Sequence, residues 1–220
     1  VALLTFQRDI ANQLEKELLA MIAKEREGFR TDRVLFRDTT TMLMALGGGG
    51  VSVGRIYGGG GDTNTGGKTE YAREIYEKAF EKKFLTQSGE YFQAVAQEIL
   101  ASNNAEVVLQ RVQQCIERER KLVEHCLDPS TLHQLMKLLD TELIEKHVDN
   151  ILELAVCSLT EMLNNEMVPQ LNMMYTFLTR VGTGGKRMSA RVNHHISTTG
   201  KKLVEAAAAE GDGSKSAIKM

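Results

Sequence analysis

Along most of the chain, apolar residues recur at intervals of three and four, the spacing of one helix face. In "NQLEKELLAMIAKEREG", Leu14, Leu18, Met21, Ile22 and Glu25 fall along one side, and Gly28 stands where a helix would stop. "TDRVLFRDTTTMLMALG" opens on Thr31 or Asp32, good N-cap residues, and closes on Gly47. Tyr76, Phe80 and Phe84 are spaced by four and predict a single aromatic stripe, continued by Leu85, Phe92, Val95 and Ile99. "NNAEVVLQRVQQCIERERKLVEHCL" predicts a long helix with Val108, Val112, Cys115, Ile116, Leu122, Val123 and Cys126 on its apolar face. The charged run Glu117, Arg118, Glu119, Arg120 and Lys121 reads as its solvated face. In "DPSTLHQLMKLLDTELIEKHVDNIL", Asp128 is read as a cap and Pro129 as a first-turn proline. Its later stripe is Leu143, Ile144, His147, Val148, Ile151 and Leu152. A helix pair, "AVCSLTEMLNN" and "VPQLNMMYTFLTRV", follows. "GTGG" then makes a turn into a last helix ending near Glu205. The remaining "AAAAEGDGSKSAIKM", 206–220, carries no stripe beyond its alanines and is expected to be a disordered tail. The pattern is therefore all-α, a bundle or a stacked helical repeat.

One stretch breaks the pattern. "GGGGDTNTGGKTEYAREIYEKAF", Gly58 to Phe80, has the outline of a phosphate-binding loop entering a helix. A P-loop needs a glycine five positions before the Gly of its Gly-Lys-Thr end, so that backbone N–H groups wrap the phosphates. Gly67, Lys68 and Thr69 supply that end, but Asp62 occupies the required position and Gly61 lies one residue too early. A carboxylate there would face the anion. No clear strand precedes it, so the Gly-rich stretch 47–67 is expected to be an insertion between helices.

Composition narrows the class. The 220 residues are 42% hydrophobic, enough for a sizeable core, and the net charge of −2 points to neither nucleic acid nor an acidic membrane. Ten methionines lie mostly among leucines at helical spacing, as core filler. Cys115, Cys126 and Cys157 are odd in number and far apart, without zinc-ligand spacing, and read as free thiols of a reducing compartment. No signal peptide and no apolar run of membrane-spanning length is visible. The chain begins on Val1, as a fragment or a processed chain would. The expected location is cytoplasmic and nuclear.

The chemistry candidates are few. His147 has Glu142, Glu145 and Asp149 near it in sequence, but it sits on an apolar stripe without a second His at i+4, as a structural histidine does. His194 and His195 are adjacent and point about 100° apart on a helix, so they do not share a metal easily. "CLDPST" has no local Cys–His arrangement for nucleophilic catalysis, and no carboxylate pair is set apart for acid–base work. Catalytic, cofactor and metal residues are thus expected to be none, with no cofactor. One charge feature stands out: from Leu171 to Val204 the chain carries Arg180, Lys186, Arg187, Arg191, Lys201 and Lys202 and no Asp or Glu. It reads either as a face whose partners lie on neighbouring helices or as a docking surface for an acidic partner.

Several strings together resemble a known family. "LLAMIAKEREGFRTDR" is similar to the cullins' Met-Ile followed by Glu-Arg-x-Gly and an Asp-Arg pair, and "MLMALG" to their Met-Leu-x-x-Leu-Gly. "YEKAFEKKFLTQSGEYFQ" resembles their Tyr-x-x-x-Phe-Glu-x-x-Phe-Leu-x-x-Ser stretch with its aromatic pair. "CLDPST", "ELIEKHVDNIL" and "MYTFLTRVGTGGKRM" then come in the family's order, the last, with "GKKLV", looking most like the cullin that recruits BTB adaptors. The resemblance implies stacked five-helix cullin repeats, an elongated helical solenoid. Residues 1–127 look like the second repeat of the amino-terminal arm, with the insertion 47–67, and residues 128–205 like part of the next. It implies a non-catalytic scaffold segment of a cullin-RING E3 ubiquitin ligase, a rigid spacer in ubiquitin-dependent protein degradation. The family's adaptor-binding first repeat and its RING-binding carboxy-terminal part match nothing here. The BTB-type adaptor and the RING protein are therefore expected to be held outside this chain, and no site residue carries over. A helical binding module using the basic last helix is the alternative. Lys82 and Lys83 stand where the family has Pro before Phe-Leu, and Val95-Ala96 where it has Glu-Ser, so the member is a divergent one.

Overall fold

The structure is a computed structural model and describes residues 2–47, Arg73 and residues 76–217. The Gly-rich stretch beyond Gly47 and the P-loop-like "GDTNTGGKT" lie outside the described residues. Nine α-helices are described: α1 (Ala2–Arg26), α2 (Arg33–Gly47), α3 (Lys82–Leu100), α4 (Ala105–Cys126), α5 (Thr131–Leu139), α6 (Val148–Leu152), α7 (Leu159–Asn164), α8 (Val168–Thr179) and α9 (Gly184–Ala217). A π-helical turn, Glu77–Glu81, leads into α3. The chain groups into two compact units: Val1–Phe92 with Cys115–Leu138, and Gln93–Gln114 with Leu139–Met220.

In the first unit, α1 ends as its sequence requires. Gly28 takes φ +91°, its N–H donates to the Glu25 carbonyl at 3.1 Å, and the Phe29 N–H donates to the Lys24 carbonyl at 3.0 Å. This is a Schellman termination, whose left-handed residue favours glycine. Asp32 then caps α2, its Oδ1 accepting from the N–H groups of Val34 and Leu35. Leu18 and Ile22 of α1 and Phe36 and Leu43 of α2 are buried. Against them lies the expected aromatic stripe: Tyr76–Phe80 and Phe80–Phe84 centroids are 5.5 and 5.6 Å apart, and all three rings are buried. Lys83, one of the departures from the family pattern, reaches α1 and pairs with the buried carboxylate of Glu15 at 2.7 Å.

The first unit also corrects one sequence reading. Glu119 is not on the solvated face of α4; it is wholly buried. It lies three residues beyond Ile116 and four before Val123, both buried, so helical geometry carries it inward.

The segment read as one helix from Thr131 to Leu152, whose residues up to Leu138 belong to the first unit and the rest to the second, is interrupted. After α5 comes a π-helical turn, Asp140–Ile144, then a 3₁₀ turn, Glu145–His147, and only then α6. The stripe Leu143, Ile144, Val148, Ile151 and Leu152 still faces the core, because the wide and tight turns offset each other. On the first-unit side, Pro129 precedes α5 instead of standing in its first turn, since the Asp128 carboxylate ties the Ser130 N–H and hydroxyl into a turn of their own. Residues 155–157 are also not helical: Val156 makes an isolated parallel bridge with Asn104, and Cys157 takes φ +54°. Ser158 then caps α7, its Oγ accepting from the Glu161 N–H while the Glu161 carboxylate accepts from the Cys157 N–H at 2.7 Å. The last helix runs past Glu205 to Ala217, where a disordered tail was expected, because the alanines from Ala206 on carry the strongest helix propensity.

Candidate interaction surface

Two buried ionic clusters hold the first unit. The Arg26 guanidinium makes a two-pronged bond to Glu119, Nε to Oε1 at 3.0 Å and Nη2 to Oε2 at 2.8 Å, and donates to Ser88 Oγ at 2.9 Å. The rings of Phe84, Tyr91 and Phe92 surround it at 5.6, 4.9 and 5.0 Å. The Arg26 and Glu119 side chains are only 6% and 1% exposed, and Arg118 Nε stands 4.0 Å from Glu119 Oε1 as a weaker second partner. In the second cluster the wholly buried Glu81 carboxylate accepts from Arg73 at 2.9 Å and from the Thr131 hydroxyl at 2.6 Å. Arg73 also reaches Asp128 at 3.1 Å. Tyr76 OH is 3.1 Å from Thr131 Oγ1, and burial pushes its pKa up to about 12. The carboxylates of Glu81 and Glu119 are wholly buried and satisfied by these partners, with Arg73 and Asp128 partly exposed at the edge of the second cluster, so their chemistry is that of helix clamps. Both clusters escaped the sequence reading. Glu119 had a legible signal in its stripe position, whereas Arg73 and Glu81 meet only after the chain folds.

The histidine and cysteine candidates do not converge. His147 is half-buried in the 3₁₀ turn, and desolvation, with Lys146 adding to it, pulls its pKa below the ordinary 6.5. His194 is exposed and His195 half-buried on α9. Burial holds Cys126 protonated up to about pH 11. Among the described residues no group of three or more His, Cys, Asp and Glu side chains is placed to hold a metal ion.

The basic stretch is where the second unit presents a surface. Three of its six cations are engaged: Arg180 with Asp140 at 2.8 Å, Arg187 with Asp149 at 2.7 Å, and Arg191 with Glu153. The neighbouring-helix reading therefore holds for the three arginines. Among the described residues, no ion pair engages Lys186, Lys201 or Lys202. At Lys186, residues of α8 and α9, among them Tyr175, Thr179, Gly185, Ser189 and Asn193, line an open groove of about 610 Å³. The start of α9 is close-packed: a Cβ at Gly184 would collide with the Leu178 carbonyl oxygen.

With that geometry in view, the comparisons with known proteins decide the family. The model of the cullin alpha solenoid domain matches residues 1–220. The chain belongs to the cullin family. It is 25% identical over 195 residues to Cullin-3 of Dictyostelium discoideum, a match covering 89% of this chain and 22% of that protein. It is 26% identical over 195 residues to Cullin-3A of Arabidopsis thaliana, covering 89% and 23%. It is 26% identical over 187 residues to Cullin-4A of Homo sapiens, covering 85% and 21%. The chain thus spans under a quarter of the length of these relatives. The expected all-α solenoid and the family resemblance both hold. Among the described residues no helix is long and apolar enough to cross a membrane.

Proposed function

We propose that this cullin chain is a scaffold element of a cullin-RING ubiquitin ligase, a non-catalytic helical spacer in ubiquitin-dependent protein degradation. The observation that carries the reading is the match of the whole chain to the cullin solenoid domain. The use of its buried charge supports it: the ionisable groups at the core bond to each other across helices, as a rigid body requires, instead of lining a cleft. In this reading residues 1–127 form one cullin repeat and 128–205 part of the next. A BTB-type adaptor and the RING protein bind elsewhere in the ligase, which works in the cytoplasm and nucleus. In a stacked solenoid each repeat contacts mainly its neighbours, so an internal repeat keeps its fold without the activities housed at the ends.

The test is a transplant. This chain replaces the matched region of the Dictyostelium Cullin-3, and ubiquitin transfer by the reconstituted ligase is measured. A spacer preserves adaptor and RING binding and most of the transfer rate. The chain alone captures neither partner at micromolar concentration. Capture of an adaptor by the chain alone, or loss of RING binding in a folded chimera, would overturn the reading.

A further inference from the structure

We infer that Glu119, Ser88 and the rings of Phe84, Tyr91 and Phe92 form a preorganised receptor for an alkylguanidinium ion, which the chain fills with its own Arg26. The inference concerns the first unit alone and does not depend on the spacer role. Each receptor group stands on α3 or α4, and α1 supplies the ligand from its last residue. Phe84, Ser88, Tyr91 and Phe92 follow at i, i+4, i+7 and i+8, along one face of α3. Neighbours other than Arg26 fix these walls. Phe80 stacks on Phe84 with 5.6 Å between centroids. The rings of Tyr91 and Phe92 stand 79° apart at 5.0 Å and make two sides of a corner. Glu119 enters from α4 between Ile116 and Val123, both buried. The receptor therefore does not need its ligand to hold its shape.

Geometry selects the ligand class. Arg26 meets the carboxylate side-on, Nε on Oε1 at 3.0 Å and Nη2 on Oε2 at 2.8 Å, and Nη2 also donates to Ser88 Oγ at 2.9 Å. Two parallel N–H donors held in one plane belong to a guanidinium and not to an ammonium. The guanidinium carbon lies 5.6, 4.9 and 5.0 Å from the three ring centroids, within cation–π range. Beyond its Cβ, arginine is an ethylguanidinium. Arg26→Ala removes that group and leaves the walls, the hydroxyl and the carboxylate that received it. Arg118 stands at the rim: its Nε is 4.0 Å from Glu119 Oε1, beyond hydrogen-bond distance, and its Nη1 donates to the Arg26 carbonyl at 3.4 Å. In the parent the tether makes Arg26 an intramolecular ligand, which free ethylguanidinium does not displace at millimolar concentration.

The experiment uses the full chain, thermal melting by circular dichroism, and titration calorimetry with ethylguanidinium chloride. At about ten times its dissociation constant, ethylguanidinium should raise the folded-to-unfolded ratio of Arg26→Ala about elevenfold and leave the parent unchanged. Propylammonium, of equal charge and similar length, should bind Arg26→Ala at least about tenfold more weakly. Glu119→Gln in the Arg26→Ala background should weaken ethylguanidinium by at least about tenfold. Arg26→Met leaves Glu119 without its arginine but fills the stem of the void, so it should gain nothing. If Arg26→Ala is unfolded by itself, recovery of its helical signal with ethylguanidinium, and not with propylammonium, is the same supporting result. Arg118 is near enough to swing into the vacated place, so Arg26→Ala with Arg118→Gln is titrated as well; binding there supports the inference. Indifference of both variants to ethylguanidinium overturns it. Equal stabilisation by propylammonium overturns it in favour of a simple cation site. Equal stabilisation of Arg26→Met overturns it in favour of general screening of Glu119.

Discussion

At the scale of single residues, the buried pair Arg26 and Glu119 concentrates the most energy in the fewest atoms. Removing one member leaves the other with weaker partners, Arg118 at 4.0 Å for Glu119 and Ser88 with three rings for Arg26, and costs up to about 3–5 kcal/mol, whereas replacing both by apolar residues of similar volume is close to neutral. Arg26→Ala and Glu119→Leu should therefore each lower the stability of the chain by up to about 3–5 kcal/mol in urea titrations, and Arg26→Met with Glu119→Leu by under about 1.5 kcal/mol. A double variant as unstable as the two singles combined would show that the bonds, and not the poorly paired charge left behind, carry the effect. His147 gives the residue-scale pH dependence. Burial lowers its pKa below 6.5 in the fold, so the unfolded chain binds the proton more readily. The His147 contribution is complete above about pH 6.5 and declines as the pH falls through that value. Melting temperature should therefore fall less steeply between pH 7 and 5 in His147→Gln than in the parent. The sequence showed His147 on its stripe. It did not show Arg26 as a partner, because the run Glu117 to Lys121 has the composition of a solvated face, and composition hides the phase of Glu119.

Elements were the most legible scale where local chemistry decides them. Gly28, Asp32 and the four-residue spacing of Tyr76, Phe80 and Phe84 fix their own ends and faces, and each stands where the pattern put it. The failures have a common cause. A π turn followed by a 3₁₀ turn preserves apolar spacing of three, four and one, so Leu139 to Val148 reads as a continuous helix although its backbone is not one. Residues 155–157 carry helix-compatible side chains, yet the Ala105 N–H claims the Val156 carbonyl at 3.0 Å and the Val156 N–H claims the Asn103 carbonyl at 3.1 Å. That competition is tertiary and leaves no local trace. Gly184 is the converse, a turn glycine whose reason is packing. A Cβ there meets the Leu178 carbonyl oxygen and lies 2.8 Å from Val181 Cγ2, so α9 would have to shift off α8. Gly184→Ala should cost about 1–3 kcal/mol, the range of overpacking, whereas Gly182→Ala, with nothing within 4 Å, should stay within about 0.5 kcal/mol. Equal melting temperatures for the two variants would contradict the close approach of α9 to α8.

At the scale of the whole molecule, family was legible in ordered strings, while the surface was not, since which cations are spent on carboxylates depends on contacts 38 to 40 residues apart in sequence. Whole-chain cohesion can be read through the thiols. Cys126 is 1% exposed, and desolvation first, with the Glu25 charge second, pushes its pKa up to about 11. Cys157 is half-exposed in the bridge segment of the other unit. Alkylation requires an accessible thiolate, so at pH 8 the native chain should label at Cys157 well before Cys126, whose rate should track the population of the opened first unit. Arg26→Ala lies in that unit, and a loss of about 3 kcal/mol there raises the opened population about a hundredfold. Cys126 labelling, followed by mass spectrometry, should accelerate by about that factor, with Cys157 changing by less than about threefold. If Cys126 in the parent labels as fast as Cys157, the first unit is not closed around the Arg26 cluster. If both thiols accelerate equally in Arg26→Ala, the two units open as one body, and the clamp at Arg26 serves the entire chain.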